Sequence, residues 1–255
     1  MLFSSIIFGP IKSRRLGNSL GINLLPTDAK ICSFDCIYCE CGLNDSTKKG
    51  NIPTREAVKN ALSLELEKLK KQDITIDTIT FAGNGEPTMH PDFKEIIDDT
   101  LIIRNQLAPD AVISVLSNAW HITNPKVYGA LLKVDNNILK LDSAIKETIL
   151  QINRPNNTSF EVSELIANLA SFQGQCIIQT LFVKGNHKGN LIDNTTEEEI
   201  NAWLNALKTI QPKQIMIYSI DRETPIKSLE KIPSSTLKAI ASQAKKLGFN
   251  ISVSV

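Results

Sequence analysis

Six short runs rich in β-branched and aliphatic residues recur along the chain, and most lead into a segment with helical periodicity: SLGINLL (19–25), ITIDTITFAG (74–83), AVISVLSN (111–118), NNILKLD (136–142), CIIQTLFVKG (176–185) and QIMIYSID (214–221). Strands that alternate with helices are joined by right-handed crossovers and so build a parallel sheet. Six such units predict an incomplete (β/α) barrel or a doubly wound open sheet, and in both the ligands gather at the carboxyl ends of the strands. Chemically unusual residues do follow the strands here. A cysteine cluster comes after the first, Gly83-Asn84-Gly85-Glu86-Pro87 after the second, and Ser117-Asn118 after the third. Asp142 ends the fourth, Lys184-Gly185 the fifth, and Tyr218 to Arg222 the sixth.

The helices between them are legible to different degrees. Thr54 is placed as an N-cap for a helix to about Gln72, with Val58, Leu62, Leu66 and Leu69 on one face. A second helix is expected from Pro91, in its first turn, to about Leu107. The clearest signal is the capping box Thr196-Glu-Glu-Glu199 ahead of Ile200, Trp203, Leu204, Leu207 and Ile210. A last helix from about Ser234 stops at Gly248, and NISVSV reads as an extra C-terminal strand. The expected organisation is a single domain over 1–255: an N-terminal extension (1–18), a six-unit core (19–222), and a C-terminal helix and strand (223–255).

Charge removes some functions. With 28 Lys+Arg against 27 Asp+Glu the net charge is +1, so there is no broad cationic footprint for nucleic acid or an anionic membrane. No apolar run approaches a membrane span, and the opening MLFSSIIFGPIKSRR lacks the order of a signal peptide, so the expected location is the cytoplasm. Four of the five cysteines, Cys32, Cys36, Cys39 and Cys41, crowd into one short loop. In a reducing compartment such a group signals a metal or redox centre. The C-x3-C-x2-C spacing lets three thiolates hold three corners of a cubane iron–sulfur cluster and leaves the fourth iron open. Zinc would instead need a closed four-ligand shell with Cys41, for which this spacing is poor.

The C-x3-C-x-aromatic-C loop after a first strand, followed by a Gly-Glu-Pro loop after the second, resembles the radical S-adenosylmethionine (radical SAM) superfamily. The resemblance covers nearly the whole chain and implies a partial (β/α)6 TIM-type barrel. The stretch from Gly9 to Ile22 and Cys39-Glu40-Cys41-Gly42 resemble a group of small members often labelled as relatives of the wyosine-forming tRNA enzymes. The resemblance implies a [4Fe–4S] cluster on Cys32, Cys36 and Cys39, with S-adenosylmethionine chelated to the open iron and cleaved reductively to a 5′-deoxyadenosyl radical that abstracts hydrogen from substrate. Tyr38 matches an aromatic position that lies against the adenine. Gly83, Asn84, Gly85 and Glu86 match the loop that binds the methionine ammonium, with Asn84 where the commonest motif has another glycine. Ser117 and Asn118 match positions that hold the ribose or carboxylate, and Asp142 and Tyr218 project toward the same cavity. An electron donor of the flavodoxin or ferredoxin type is implied.

The substrate side is thinner. Arg14 and Arg15 read as a clamp for a phosphate or carboxylate, or as ion-pair partners of an acid such as Asp221. Asn18, Lys184, Asp193, Asp221 and Arg222 are further candidates, and Asn153-Arg154-Pro155 fits a loop at the active-site mouth or a plain surface turn. Cys41 reads as a donor to a product radical, a ligand of a second centre, or a packed thiol. Wyosine-forming enzymes carry a second cluster on cysteines ahead of the radical loop, and no cysteine precedes Cys32 here. A small-molecule substrate is therefore preferred, with tRNA modification or activation of a partner enzyme as alternatives. A small-molecule enzyme would use the N-terminal segment as a lid.

Overall fold

The computed structural model describes residues 2–45, 47 and 50–254. Two units interleave along the chain: Met1–Cys32, Asn44–Ser117 and His121–Asn137 form the first, and Ser33–Leu43, Asn118–Trp120 and Ile138–Val255 the second.

In the first unit the chain opens with β1 (Ile7–Ser13), which returns through a turn at Arg14 to Leu16 into β2 (Gly17–Ile22), antiparallel to it. Gly9-Pro10 interrupts the local pattern of β1, which lies within the segment expected as an N-terminal extension. The register shifts between Phe8 and Ile11, so the proline, which has no N–H, falls in a bulge of an edge strand. This segment is therefore a strand of the sheet. Next come α1 (Arg55–Lys71), β3 (Thr78–Phe81), a 3-10 turn at Pro87–Met89, α2 (Phe93–Leu107), β4 (Val112–Ser117) and α3 (Pro125–Leu131). Strand β3 runs parallel to β2 and to β4. Thr54 caps α1 by accepting from Ala57 N at 3.2 Å, as expected. Pro91 lies outside α2, because the His90 ring accepts from Asp92 N at 3.0 Å and holds a separate turn ahead of the helix.

The strands of this unit are two-faced. Leu20, Ile22, Ile79, Phe81, Ile113 and Val115 are buried, with Phe81 edge-on to Phe93 of α2. On the alternate positions Ser19 and Thr80 share a hydrogen bond of 2.7 Å, Thr78 and Ser114 one of 2.9 Å, and Asn136 donates to Ser114 at 3.1 Å. Period-two alternation thus separates an apolar from a hydroxyl-lined side. Strand β2 ends at Ile22, short of the expected Leu25, because the Asn23 side chain bonds both Leu25 N and Leu25 O and turns the chain.

In the second unit β5 (Asn136–Lys140, begun at the end of the first), β6 (Ile177–His187), β8 (Gln214–Ser219) and β10 (Ile251–Ser254) run parallel, in that order. The intervening helices are α4 (Lys146–Ile152), α5 (Val162–Ala170), α6 (Glu197–Ile210) and α7 (Ser234–Lys246). The capping box closes as predicted, with Glu199 N donating to Thr196 Oγ1 at 3.3 Å. Trp203 of α6 donates its indole N–H to Thr180 Oγ1 at 2.9 Å and meets Phe182 edge-on, which docks the helix on β6. The far half of β6 pairs antiparallel with β7 (Asn190–Asp193) and β9 (Leu229–Lys231), a small addition that the six-unit pattern does not contain.

The buried Asp99 carboxylate of α2 is gripped at both oxygens by Arg55 of α1, at 2.6 and 2.8 Å, which holds its carboxyl below the usual carboxylate range. A carboxyl whose folded pKa is depressed stabilises the fold above its unfolded value and loses that contribution as pH falls through the folded value. Asp99→Asn should cost about 1–2 kcal/mol at neutral pH, allowing for the half-exposed arginine, and should flatten the loss of stability below about pH 4. Urea unfolding of both proteins across that range checks both effects.

Candidate functional site

The residues singled out from the sequence fall into two groups, one in each unit. In the first unit the Gly83–Glu86 loop is stitched to the residue before Cys32. Ile31 N donates to Asn84 O at 3.0 Å, Glu86 N donates to Ile31 O at 3.1 Å, and Ile31 pairs with Gly85 as a parallel bridge. Gly85 has φ +138°, and a Cβ there would lie 1.7 Å from Ile31 O, so only glycine permits this approach. At Gly83, also at positive φ, a Cβ would meet Asn23 Oδ1 at 2.5 Å.

Asn84 is fully buried, and its side chain works structurally: Nδ2 donates to Phe3 O and Pro26 O at 2.8 Å, and Oδ1 accepts from Phe3 N at 2.8 Å. Its departure from the commonest motif thus ties down the N-terminus and the chain after β2. Glu86 is 2% exposed, and its Oε1 accepts from Thr88 N, Thr88 Oγ1 and Ser117 Oγ, the last at 2.8 Å. Ser117 therefore acts on Glu86, fixing the carboxylate at the end of β3. Cys32 is half-buried, and its carbonyl accepts from Asn44 Nδ2 at 3.1 Å.

In the second unit the rest of the cysteine loop is docked on the end of α4. Asp35 N donates to Asn153 O and Ile37 N to Ile152 O, each at 3.0 Å; Asn156 N returns a bond to Ser33 O, and Phe34 bridges Pro155. Arg154, in the left-handed region at φ 48°, sets its guanidinium 3.3 Å from Asp35. Phe34, buried between the first two cysteines, meets Phe160 edge-on, and Phe160 stacks on Trp120. Asn118 braces the same place, donating to Ser33 Oγ at 2.9 Å and accepting from Trp120 N at 3.0 Å. Within the loop, Cys39 N donates to Cys36 O at 3.1 Å and Gly42 N to Cys39 O at 2.9 Å, two successive turns that carry Cys36, Cys39 and half-buried Cys41.

Cys36 and Tyr38 are buried beside Asp142, which is 1% exposed. The Tyr38 hydroxyl donates to Asp142 Oδ2 in a short bond, Asn153 Nδ2 donates to the same oxygen at 2.6 Å, and Leu181 N donates to Oδ1 at 2.8 Å. Lys140 Nζ lies 3.6 Å from Asp142 Oδ2 and 5.2 Å from the Tyr38 ring centroid. The Asn153 amide also reaches Cys36 Sγ at 3.4 Å and Tyr38 Oη at 3.2 Å. Burial pushes the Cys36 thiol up to about 11, against the opposing pull of Lys140 and the Asn153 bond, and burial beside Asp142 raises Tyr38 well above its ordinary value. A thiol in such a place is a poor thiolate alone and a good ligand once a metal centre takes its charge. The chemistry of the donors, thiols at C-x3-C-x2-C spacing with an amide aimed at the Cys36 sulfur, suits iron–sulfur ligation; among the described residues no three His, Cys, Asp or Glu side chains are gathered to hold a metal ion.

Tyr38 and Asp142, both expected near a cofactor, are bonded to each other in the structure. Sequence reasoning missed Lys140 and left Asn153 undecided, because 117 residues separate Asn153 from Cys36 and no spacing rule spans them. The tip of the β1–β2 hairpin does not bring Arg14 and Arg15 to the Gly83–Glu86 loop. They precede β2, whereas the Gly83–Glu86 loop follows the parallel strand β3, so the length of a strand, about 20 Å at the rise of an extended chain, lies between them. Asp221 pairs with Lys231 at 2.7 Å, Arg222 with Glu40 at 2.8 Å, and Lys184 with Glu230 at 3.3 Å. Asn18 donates to Thr75 O, and Asp193 caps Thr195, so these substrate-side candidates have local partners. Tyr218 stays on β8, half-buried, in register with Leu181.

The profile of the Radical SAM superfamily matches residues 28–194, well over half of the chain. A Brachyspira hyodysenteriae protein bearing the name GTPase Obg is 30% identical over 86% of this chain, which spans 30% of that protein. A UPF0026 protein of Helicobacter pylori is 28% identical over 88% of this chain and 68% of its own length. A radical SAM methyltransferase from Sphaerobacter thermophilus superposes with a TM-score of 0.68 at 12% identity, over 92% of this chain and 65% of that one. Streptococcus suis SuiB bound to S-adenosylmethionine gives 0.64 at 13% identity, over 91% and 50%. TYW1 with a lysine-pyruvate adduct gives 0.60 at 15%, over 89% and 73%. At these identities the likeness is one of fold, a mixed α/β fold of the partial TIM-type barrel class. Among the described residues no helix is long and apolar enough to cross a membrane.

Gly85→Ala should be among the most damaging single substitutions in the chain. It forces a clash with backbone and a positive φ together, and a loss of 3 kcal/mol or more, roughly, is expected. Thermal unfolding reads it; a midpoint within a degree or two of wild type would show that the Ile31–Gly85 approach is not rigid.

Proposed function

The chain belongs to the radical SAM superfamily, and on that premise we propose that Cys32, Cys36 and Cys39 hold a [4Fe–4S] cluster and that the enzyme uses S-adenosylmethionine to take a hydrogen atom from a small-molecule substrate. When bound, cluster and cofactor supply one-electron cleavage of a carbon–sulfur bond and hydrogen-atom abstraction, chemistry that no side chain performs. Three protein thiolates leave one iron of a cubane without a protein ligand, which is where an amino-acid moiety can chelate.

The remaining work belongs to this chain's own groups. Gly83 and Gly85 let backbone carbonyls come close to the cofactor's ammonium, and Glu86, with Oε1 pinned by Ser117 and Thr88, offers a fixed carboxylate to the same cation. Asn118 and Tyr218 are proposed contacts of the nucleoside half. Tyr38 and Asp142, bonded to each other, hold the loop that carries Cys36, and are proposed to face the cofactor as well, Tyr38 through its backbone and ring against the adenine. Residues 1–255 are proposed to act as one catalytic domain in the cytoplasm, reduced by a flavodoxin- or ferredoxin-type donor. The net charge of +1 supports a small substrate over tRNA, because it offers few cations for a phosphate backbone.

The observation that carries this reading is Cys36, a thiol buried in a C-x3-C-x2-C loop with an amide donor on its sulfur. After anaerobic reconstitution the protein should be brown, contain iron and sulfide, and form 5′-deoxyadenosine on reduction with S-adenosylmethionine. Cys36→Ala should abolish that product. A colourless zinc protein, or product formation that persists in the variant, overturns the assignment. Acceleration of 5′-deoxyadenosine formation by a tRNA fraction, and not by small metabolites, would move the substrate to nucleic acid.

A further inference from the structure

We propose that Asn153 is a positioning residue that sets the reduction potential of the centre bound through Cys36, by directing an N–H···S hydrogen bond at that ligand's sulfur. The inference rests on the reading of Cys36 as a cluster ligand. Asn153 ends α4, 1% exposed, with its backbone N bonded to Ile149 O at 2.8 Å and its carbonyl holding Asp35 N. The residue is therefore fixed from both its own helix and the cysteine loop. Its amide has two hydrogens and three acceptors in reach: Asp142 Oδ2 at 2.6 Å, Tyr38 Oη at 3.2 Å and Cys36 Sγ at 3.4 Å.

The direction of the amide follows from chemistry. Turned over, Asn153 would set its carbonyl oxygen against the Asp142 carboxylate and the ligand sulfur, two acceptors that cannot answer it. Asp142 is itself held by Tyr38, Leu181 N and Lys140, so it cannot swing away to accommodate the reversed group. The carboxylate thus locks one N–H and leaves the other to be shared between Cys36 Sγ and Tyr38 Oη. A donor on a thiolate disperses the negative charge that the cluster gains on reduction, and stabilises the reduced state more than the oxidised one. In a buried site the effect is not screened by water. Deprived of that bond, the centre should be harder to reduce.

The test replaces Asn153 by Leu, of similar shape without a donor, and by Asp, which sets a second carboxylate beside the sulfur. Both variants, loaded with cluster, are titrated by EPR-monitored redox potentiometry. Asn153→Leu should make reduction about tenfold less favourable, ~59 mV more negative for one electron, and Asn153→Asp should go further. Iron and sulfide content should match wild type, and slowed 5′-deoxyadenosine formation should recover with a stronger chemical reductant. A role confined to folding would lower cluster content or thermal stability and leave the potential of the remaining cluster in place, which overturns the proposal. If neither variant folds, wild-type protein labelled with 15N in asparagine side-chain amides is read instead: a 15N hyperfine coupling at the reduced cluster supports the bond, and its absence refutes it. A wild-type protein that takes up no iron refutes the ligand reading and this proposal together, whereas a cluster with unshifted potential in folded variants refutes this proposal alone.

Discussion

A single buried carboxylate, Asp142, organises the second unit. A carboxylate removed from water is tolerated only when its lone pairs are met, and the cost of leaving it unmet is on the order of several kcal/mol. Here the requirement is answered from four directions: the Tyr38 hydroxyl of the cysteine loop, Asn153 at the end of α4, the backbone of β6 through Leu181, and Lys140 two residues earlier, at the end of β5. Each donor belongs to a different segment, so satisfying one charge fixes the mutual placement of all four. The cysteine loop has no regular secondary structure of its own across Cys36 to Tyr38. Its order is borrowed from this network and from the bonds that Asp35 and Ile37 make to the α4 end.

The first unit solves a different problem by close approach. The Gly83–Glu86 loop comes so near Ile31 that a side chain at Gly85 is excluded, and the two backbones exchange hydrogen bonds in place of side-chain contacts. Asn84, buried between Phe3 and Pro26, supplies the donors and acceptor this tight path would otherwise lack. Glu86 is then presented by Thr88 and Ser117 with little freedom. Rigidity at such a loop is useful because binding energy is not spent on ordering it afterwards.

The strand-and-helix alternation was legible because period-two and period-3.6 patterns are local, and so were the Thr54 cap and the Thr196 capping box. Strand β1 was not, because Gly9-Pro10 breaks its local pattern and only pairing with β2 makes it a strand. The brief β7 and β9 exist for the same reason, as partners of β6. The cysteine spacing and the Gly-Glu-Pro loop could be read as motifs. The internal partners of Asn84, Ser117, Asn118 and Asp142 could not, since each lies at least 30 residues away in sequence. Asn153 shows the limit best. Asn153-Arg154-Pro155 reads equally as a surface turn or as a mouth loop, and only the docking of residues 33–37 against it decides that it braces the cysteines.

The two remaining cysteines are not equivalent. Cys176 is fully buried just ahead of β6, and burial pushes its thiol up to about 12, so it behaves as a small apolar side chain of the core. Its carbonyl accepts from Lys213 N, which fixes the start of the strand and not a reactive group. Cys41 instead sits half-buried one turn past Cys39, beside Glu40, whose carboxylate is engaged by Arg222. Two thiols in such different settings cannot be joint ligands of a second centre without rebuilding the core around one of them. Beyond the C-x3-C-x2-C loop, then, the chain carries one thiol packed away in the core, Cys176, and one left half-buried beside the loop, Cys41.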